Sequence, residues 1–301
     1  MLEFHNITIR DKEWVDELLS YSDFRGSEYC FQNNYTWAPQ FNIKIARHND
    51  FYIARTGNGE SIRFLFPAGK GDIEELVCGL LKYMSTINIP LLFTSVNEKV
   101  KDMLETILPG RFSFHEVSSH FDYIYEAPSL IGLSGKKLHS KRNHINNFLR
   151  EYSDWNLELI TPENIKECEE LNREWGILNN CDEFPQSSKA AEQISVRRGL
   201  ASFFELGLIG GILRVNGKAE AFTYGSRINS DTFIINVEKA LPSCRGAYSM
   251  INREFANLAC REVRYINRED DAGDLGLRKA KLSYRPALFE KKYTAAAKKG
   301  G

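Results

Sequence analysis

Residues 232–269 read TFIINVEKALPSCRGAYSMINREFANLACREVRYINRE. The stretch opens on TFIINVEK and closes on EVRYINRE, both with the β-branched and apolar composition of strands. Between them, the small-residue loop 243–247 opens a helix that runs to about Cys260. Strand, loop, helix and strand in that order belong to an α/β protein. Alternation along the first strand places Ile234, Asn236 and Glu238 on one face and Phe233, Ile235 and Val237 on the other.

Just upstream, GLIGGILRV-NG-KAEAFTYGSRI reads as a hairpin, because Asn216-Gly217 suits a two-residue type I′ turn. Before it, Thr161-Pro162 starts a helix, a cap followed by proline at the first helical position. The same plan precedes residue 130. A helix is expected at 11–20, then an aromatic and Asn-rich region, 21–41, of mixed loops and short helix. FYIAR-TGNGE-SIRFLFPAG reads as a second hairpin. Asp72 caps a helix whose apolar face is Ile73, Leu76, Val77, Leu80, Leu81 and Met84 at helical spacing. PLLFTSV is a buried strand, Asn97 caps a helix to about Leu108, and FSFHEVSSHFDYIYEA is a strand or strand pair. Each half therefore gives helix, hairpin, strand, helix, strand. The expected organisation is a first half over 1–130, a linker helix over 131–155 and a second half over 156–301, with AAAKKGG as a frayed end.

The linker SGKKLHSKRNHINNFLREY carries Lys136, Lys137, Lys141, Arg142 and Arg150 with no acid before Glu151. Leu138, Ile145, Leu149 and Tyr152 give it one apolar seam, so it is a basic amphipathic helix. Such a helix suits an RNA backbone or anionic headgroups; its plainer use is a solvated bridge. His139 and His144 are five residues apart and share no helix face, which argues against a zinc site there.

Composition bounds the rest. The 301 residues are 43% hydrophobic, 12% aromatic and 26% charged, with a net charge of −1. An ordinary core is available, and no global field points at nucleic acid or membrane. The six cysteines are irregularly spaced without a C-x-x-C pair, the pattern of reduced thiols in a cytoplasmic protein. No apolar run approaches the roughly 20 residues of a membrane span.

The element order resembles the GNAT-type N-acyltransferase fold. Its tandem duplicated form resembles the aminoacyl-tRNA-dependent peptidyltransferases of cell-wall synthesis and the soluble C-terminal domain of phosphatidylglycerol lysyltransferase. The nearest likeness is to a bacterial family of stand-alone proteins akin to that domain. GKKLHSKRNHINNF, the run from FIINVEKA to RGAYSMINREFA, and YINREDDAGDLGLRKAKLSYRP carry it. Lys281-Leu-Ser-Tyr284-Arg-Pro286 resembles the K-x-x-[FY]-x-P signature near the end of the transferase domains.

The resemblance implies an acyl or aminoacyl transferase with a donor cleft between splayed strands, acting on an amine or hydroxyl. The donor would be an aminoacyl-tRNA or a coenzyme A thioester, with no metal or redox cofactor required. In GNAT relatives the loop after the fourth strand binds a pyrophosphate through backbone N–H groups at a helix N-terminus. Ser243, Arg245, Gly246, Ala247 and Tyr248 stand there. Ser243 replaces the family's first basic or amide residue and Tyr248 its final small one, a departure that fits the tRNA-dependent relatives better.

The resemblance makes Glu238 a candidate general base; its plain alternative is a strand-end salt bridge to Lys239 or Arg245. Lys281 is the candidate for stabilising the oxyanion of the tetrahedral intermediate, with Arg278 and Tyr284 on the same wall. The alternative there is a solvated basic face. Asn267, Arg268 and Asp270 end a strand, where ligands gather in open α/β sheets. Arg268 suits a bidentate clamp on phosphate or carboxylate, and the acids suit an α-amino group. Hard-ligand spacing for a metal is absent from this segment. These residues place the expected donor pocket in the second half. The rival reading is a binding module whose donor site has decayed.

Overall fold

The structure is a computed structural model that describes residues 2–298. Two compact units divide the chain. Among the described residues, one comprises 2–122, 270–273 and 289–298; the other comprises 123–269 and 274–288.

The first unit holds a mixed sheet. Its order is His5–Asn6, Lys44–His48, Phe51–Thr56, Arg63–Leu65, Leu92–Val96, Tyr293–Ala297 and Phe112–Glu116, with Ala68–Gly69 paired beside Phe51–Thr56. Arg63–Leu65 and Leu92–Val96 run parallel through Phe64↔Phe93 and Leu65↔Thr94. The helix Ile73–Thr86 lies between them in sequence, and Asp72 caps it by accepting from the Glu75 N–H at 2.9 Å. Asn97 caps Glu98–Ile107 in the same way through Val100. The aromatic-rich region holds more helix than expected. Phe31–Phe41 is an eleven-residue helix, ended by Asn42 in the left-handed region at φ 48°.

The second unit repeats the plan. The second sheet runs Leu288–Glu290, Asp122–Glu126, Tyr265–Asn267, Thr232–Ala240, Lys218–Arg227, Ile209–Val215 and Trp155–Leu159. Thr232–Ala240 and Tyr265–Asn267 are parallel, separated in sequence by the helix Ala247–Ala259. The Asn216-Gly217 turn has both φ values positive, at 50° and 75°, as a type I′ hairpin needs.

The boundaries expected at 130, 155 and 156 differ from these units. Tyr293–Ala297, whose last three residues were expected to be frayed, is a strand between Leu92–Val96 and Phe112–Glu116; Lys299, Gly300 and Gly301 lie outside the described residues. Conversely, FSFHEVSSHFDYIYEA splits. Phe112–Glu116 stays in the first sheet, and Asp122–Glu126 pairs with Tyr265–Asn267 in the second. Each sheet thus takes in a strand far in sequence from its neighbours, Tyr293–Ala297 in the first and Asp122–Glu126 in the second, and this pairing satisfies N–H and C=O groups that would otherwise be left open.

The linker helix is His139–Glu151, and it belongs to the second unit. Leu138, Ile145 and Phe148 enter a core with Met250, Ile251 and Phe255. Phe148, absent from the expected seam, is fully buried, whereas Leu149 is 41% exposed. Burying Phe148 favours this packing by about 1.5–3 kcal/mol. The helix Ser188–Ala201 was not foreseen. Its buried face is largely small, with Ala190, Ser195 and Gly199 beside Val196 and Leu200, so no apolar period marks it.

Candidate active site

Only Thr232, Phe233 and Ile234 of the long strand pair with Tyr265–Asn267. Beyond Ile234 the strand continues to Ala240 while its parallel neighbour has ended, and the sheet opens there. On the other edge, Tyr224 faces Val237 and Gly225 faces Ile235, which leaves Asn236 as the extra residue of a bulge. Gly225 permits this approach, since a Cβ would lie 1.9 Å from the Ile234 carbonyl oxygen. Bulges of this kind re-aim side chains beside active sites. Here the re-aimed residues are Asn236 and Glu238.

Glu238 is held from two elements. Its Oε1 accepts from Arg268 Nη2 at 3.0 Å, the two side chains being 11% and 12% exposed. Its Oε2 accepts from Nδ2 of fully buried Asn252 at 2.9 Å, on the helix Ala247–Ala259. The Arg268 guanidinium lies 4.9 Å from the centroid of Tyr284 and 5.8 Å from that of Tyr125. Burial works against its charge, but Glu238 and the two tyrosines hold its pKa above the usual value. Lys281 Nζ donates to the Arg268 carbonyl at 2.6 Å, and Tyr125 Oη donates to the Lys281 carbonyl at 2.8 Å. Lys141 Nζ sits 4.0 Å over the Tyr284 ring. Burial, then repulsion from Arg268, lowers its pKa, with Glu238 opposing.

Three buried polar atoms in this cluster have no hydrogen-bond partner: Arg268 Nη1, Asn252 Oδ1 and Asn236 Oδ1. Each costs about 1–3 kcal/mol when left so. Unpartnered buried atoms gathered in one place call for an explanation, such as an ordered water, an ion or a catalytic role.

The structure brings Glu238, Arg268, Lys281 and Tyr284 together. The alternative ion pair to Lys239 or Arg245 does not form; Lys239 is buried elsewhere, 2.7 Å from Glu192 and 3.3 Å from the Trp175 centroid. Asn267 is fully buried, and its Oδ1 accepts from the Glu269 N–H at 2.6 Å, fixing the turn after the strand. Arg278 is half-buried on the helix Leu275–Leu282, one turn before Lys281. Asp270 belongs to the first unit, where its charge acts on Lys292.

The 243–248 loop makes local contacts. The N–H groups of Cys244 and Ala247 donate to the Leu241 and Cys244 carbonyls, both at 3.2 Å. The Arg245 N–H donates to Tyr152 Oη at 3.2 Å. Gly246 caps the helix at φ 88°, and a Cβ there would lie 3.2 Å from Phe148 Cβ. Ser243 is exposed, with its Oγ 3.5 Å from Glu220. Tyr248 is 45% exposed, and partial burial raises its pKa, with the Ala240 backbone and Trp175 opposing.

Sequence reasoning missed Lys141, Tyr125, Asn236 and Asn252 as members of this site. Lys141 lay within the motif GKKLHSKRNHINNF, but a helix taken as a linker offered no reason to aim it at Tyr284.

Among the described residues no helix is long and apolar enough to cross a membrane. A conserved protein of unknown function from Bacteroides thetaiotaomicron has a similar crystal structure, at 41% identity and TM-score 0.93, covering 99% of this chain and 100% of that one. The structure of L-PGS from Bacillus licheniformis shares the fold at 14% identity and TM-score 0.65, over 97% of this chain and 93% of that one. FemX shares it at 10% identity and TM-score 0.62, over 97% and 96% of the two chains. An uncharacterized protein of Mycoplasmoides gallisepticum is 25% identical over 181 residues, 60% of this chain and 56% of that protein, so the match spans little more than half of that relative's length. The family model described as "Phosphatidylglycerol lysyltransferase, C-terminal" matches residues 20–296. With nearly the whole chain matched on this α/β fold of two mixed sheets, the protein belongs to the family of the phosphatidylglycerol lysyltransferase C-terminal domain.

Proposed function

We propose that the protein is an aminoacyltransferase that moves an aminoacyl group from the ester of a charged transfer RNA to an amine or hydroxyl acceptor, with the opened sheet of the second unit as its reaction site. The observation that carries this reading is the Glu238–Arg268–Asn252 cluster with its three unpartnered atoms, standing where the parallel strands part. Family membership supplies the transferase class.

In this reading the donor's α-ammonium meets Glu238 and the Oδ1 atoms of Asn236 and Asn252. Arg268 Nη1 faces the ester carbonyl oxygen. The acceptor attacks the carbonyl carbon, the bond to the ribose oxygen breaks, and the acceptor's proton ends on the ribose hydroxyl. Negative charge develops on the carbonyl oxygen as the tetrahedral intermediate forms, and a fixed guanidinium N–H lowers that barrier. Lys281, expected to face the oxyanion itself, here sets Arg268 by holding its carbonyl at 2.6 Å. A coenzyme A thioester is the less favoured donor, because the N–H groups of Cys244, Arg245 and Ala247 are already used.

Purified protein, incubated with transfer RNAs carrying labelled amino acids and with amine and hydroxyl acceptors, should release label from RNA into acceptor faster than the uncatalysed rate. Arg268→Lys should suppress that transfer. Turnover of acyl-coenzyme A alone would reassign the donor. No transfer from either donor would leave the protein a binding module.

A further inference from the structure

The open edge of the strand Thr232–Ala240 has two ends. At one, Ile234 pairs with Asn267 and the parallel neighbour stops. At the other, the Leu241 N–H donates to the Glu220 carbonyl at 2.9 Å, on the side of Lys218–Arg227. Neighbouring N–H groups of a strand point to opposite sides, so the Ala240 N–H is aimed into the opening. Tyr248 meets it there. Its hydroxyl is held by the Ala240 backbone and the Trp175 side chain, which oppose the rise that burial gives its pKa. These partners stand on different faces of the sheet. Tyr248 starts from the helix Ala247–Ala259, which meets the face of Glu238 through Asn252. Trp175 belongs to the helix Ile165–Leu178, on the face of Lys239, whose Nζ lies 3.3 Å from its centroid. Glu238 and Lys239 are strand neighbours and point to opposite faces. The Tyr248 ring therefore crosses the sheet through the opening, at the end nearest its own helix.

We infer that Tyr248 is a specificity-determining residue, whose ring bars the opening to a coenzyme A thioester and leaves it to donors that reach Glu238 from another side. A helix N-terminus is where a pyrophosphate would sit. From the first turn of this helix, a thioester arm would have to pass Ala240 to bring its acyl carbon to Glu238. The ring occupies that line. The helix end itself is not exhausted: among the described residues, the N–H groups of Gly246, Tyr248 and Ser249 enter no backbone bond. The arm, more than the phosphates, is what the protein excludes. A clash built against the wrong ligand is a recognised source of specificity. The inference deepens the proposed function and rests on it in taking Glu238 as the place of reaction.

The test is equilibrium binding of coenzyme A to the full chain by titration calorimetry, for wild type, Tyr248→Phe and Tyr248→Ala. Wild type and Tyr248→Phe, which keeps the ring, should bind weakly and alike. Tyr248→Ala should bind about tenfold more tightly or better, because the clash is gone. Tyr248 is 45% exposed, so alanine should leave the fold intact. Equal melting temperatures check this, and Tyr248→Ser carries the same expectation if they differ. Equal affinity of Tyr248→Ala and wild type overturns the inference. So does a gain in Tyr248→Phe that matches the alanine variant, since the ring is then not the barrier. Gained affinity in a protein that transfers nothing from charged RNA would sink the transferase reading and leave Tyr248 as the barrier. Transfer from charged RNA with no such gain would do the reverse.

Discussion

Both units bury charge, and they finish it differently. In the first, Lys292 Nζ donates to Asp122 Oδ1 at 2.6 Å, Glu28 Oε1 at 2.8 Å and Ser27 Oγ at 3.1 Å. Asp122 Oδ2 accepts from the Ser27 N–H at 2.7 Å. Three ammonium hydrogens meet three oxygens. Burial works against the charge of Lys292, yet Asp122, Glu28 and Asp270 hold its pKa above the ordinary value. In the second unit, Arg268, Asn252 and Asn236 each keep one buried polar atom unpartnered. The parallel strands differ likewise. Those of the first unit are filled by Phe64, Phe66 and Phe93, the last two 5.3 Å apart, whereas those of the second part around Glu238. The difference lies between the two clusters rather than the whole units, because Tyr29 Oη, Tyr52 Oη and Arg55 Nε of the first unit are also buried without a partner.

That contrast breaks first at Lys292. Lys292→Met leaves Asp122 buried without its cation, and breaking such a pair costs about 3–5 kcal/mol. Chemical denaturation should show a loss of that order, and a change below about 1 kcal/mol would mean the network is not structural. Arg268→Lys should do the reverse. The charge remains but the fork is lost, so kcat should fall by roughly 10²–10³, the loss typical of one oxyanion donor. Its melting temperature should move far less than that of Lys292→Met. If stability falls and transfer survives, the two clusters are the same kind of object.

Lys281→Ala sharpens the comparison within the second unit. It should lower kcat by roughly 10², and the loss should not add to that of Arg268→Lys, since residues acting as one unit are strongly non-additive. Multiplicative losses in the double variant would return Lys281 to a direct role at the oxyanion.

The smallest effect belongs to a closed network in the second unit. Arg214 bridges Glu158 at 2.7 Å and Glu167 at 2.6 Å. Its hydrogen bond holds the Glu167 carboxyl below the usual range despite some burial. A depressed carboxylate contributes stability above its unfolded pKa, and the contribution is lost as pH falls through the folded one. Glu167 is 40% exposed, so Arg214→Gln should cost under about 1 kcal/mol at neutral pH, as screened pairs do. The gap from wild type should shrink as pH falls below the ordinary glutamate value, with transfer unchanged. Titration of the unfolding free energy for both proteins checks the sign.

Much of the fold was legible because its signals are local. Asp72 and Asn97 cap the helices that follow them, and Asn216-Gly217 turns the hairpin, through groups within a few residues of each other. Ser188–Ala201 escaped notice because its buried face is mostly small. Of the site, Glu238, Arg268, Lys281 and Tyr284 were legible from strand order and the tail signature. Asn252 was not, because an asparagine inside a helix carries no mark of the carboxylate it will meet.

By itself the sequence determined most element types, the Asn216-Gly217 turn, the caps at Asp72 and Asn97 and the chain's family likeness, since each depends on periodicity, backbone preference or short motifs; Thr161-Pro162, read as a helix start, instead precedes a helix that begins at Ile165 after Asn164. Only the tertiary structure decided that Tyr293–Ala297 completes the first sheet and Asp122–Glu126 the second, that Glu238 pairs with Arg268 rather than Lys239, and that Lys141 turns toward Tyr284. Those choices join residues far apart in the chain. A strand's pattern states that it must pair, not with which strand, and a buried charge states that it needs a partner, not where that partner comes from.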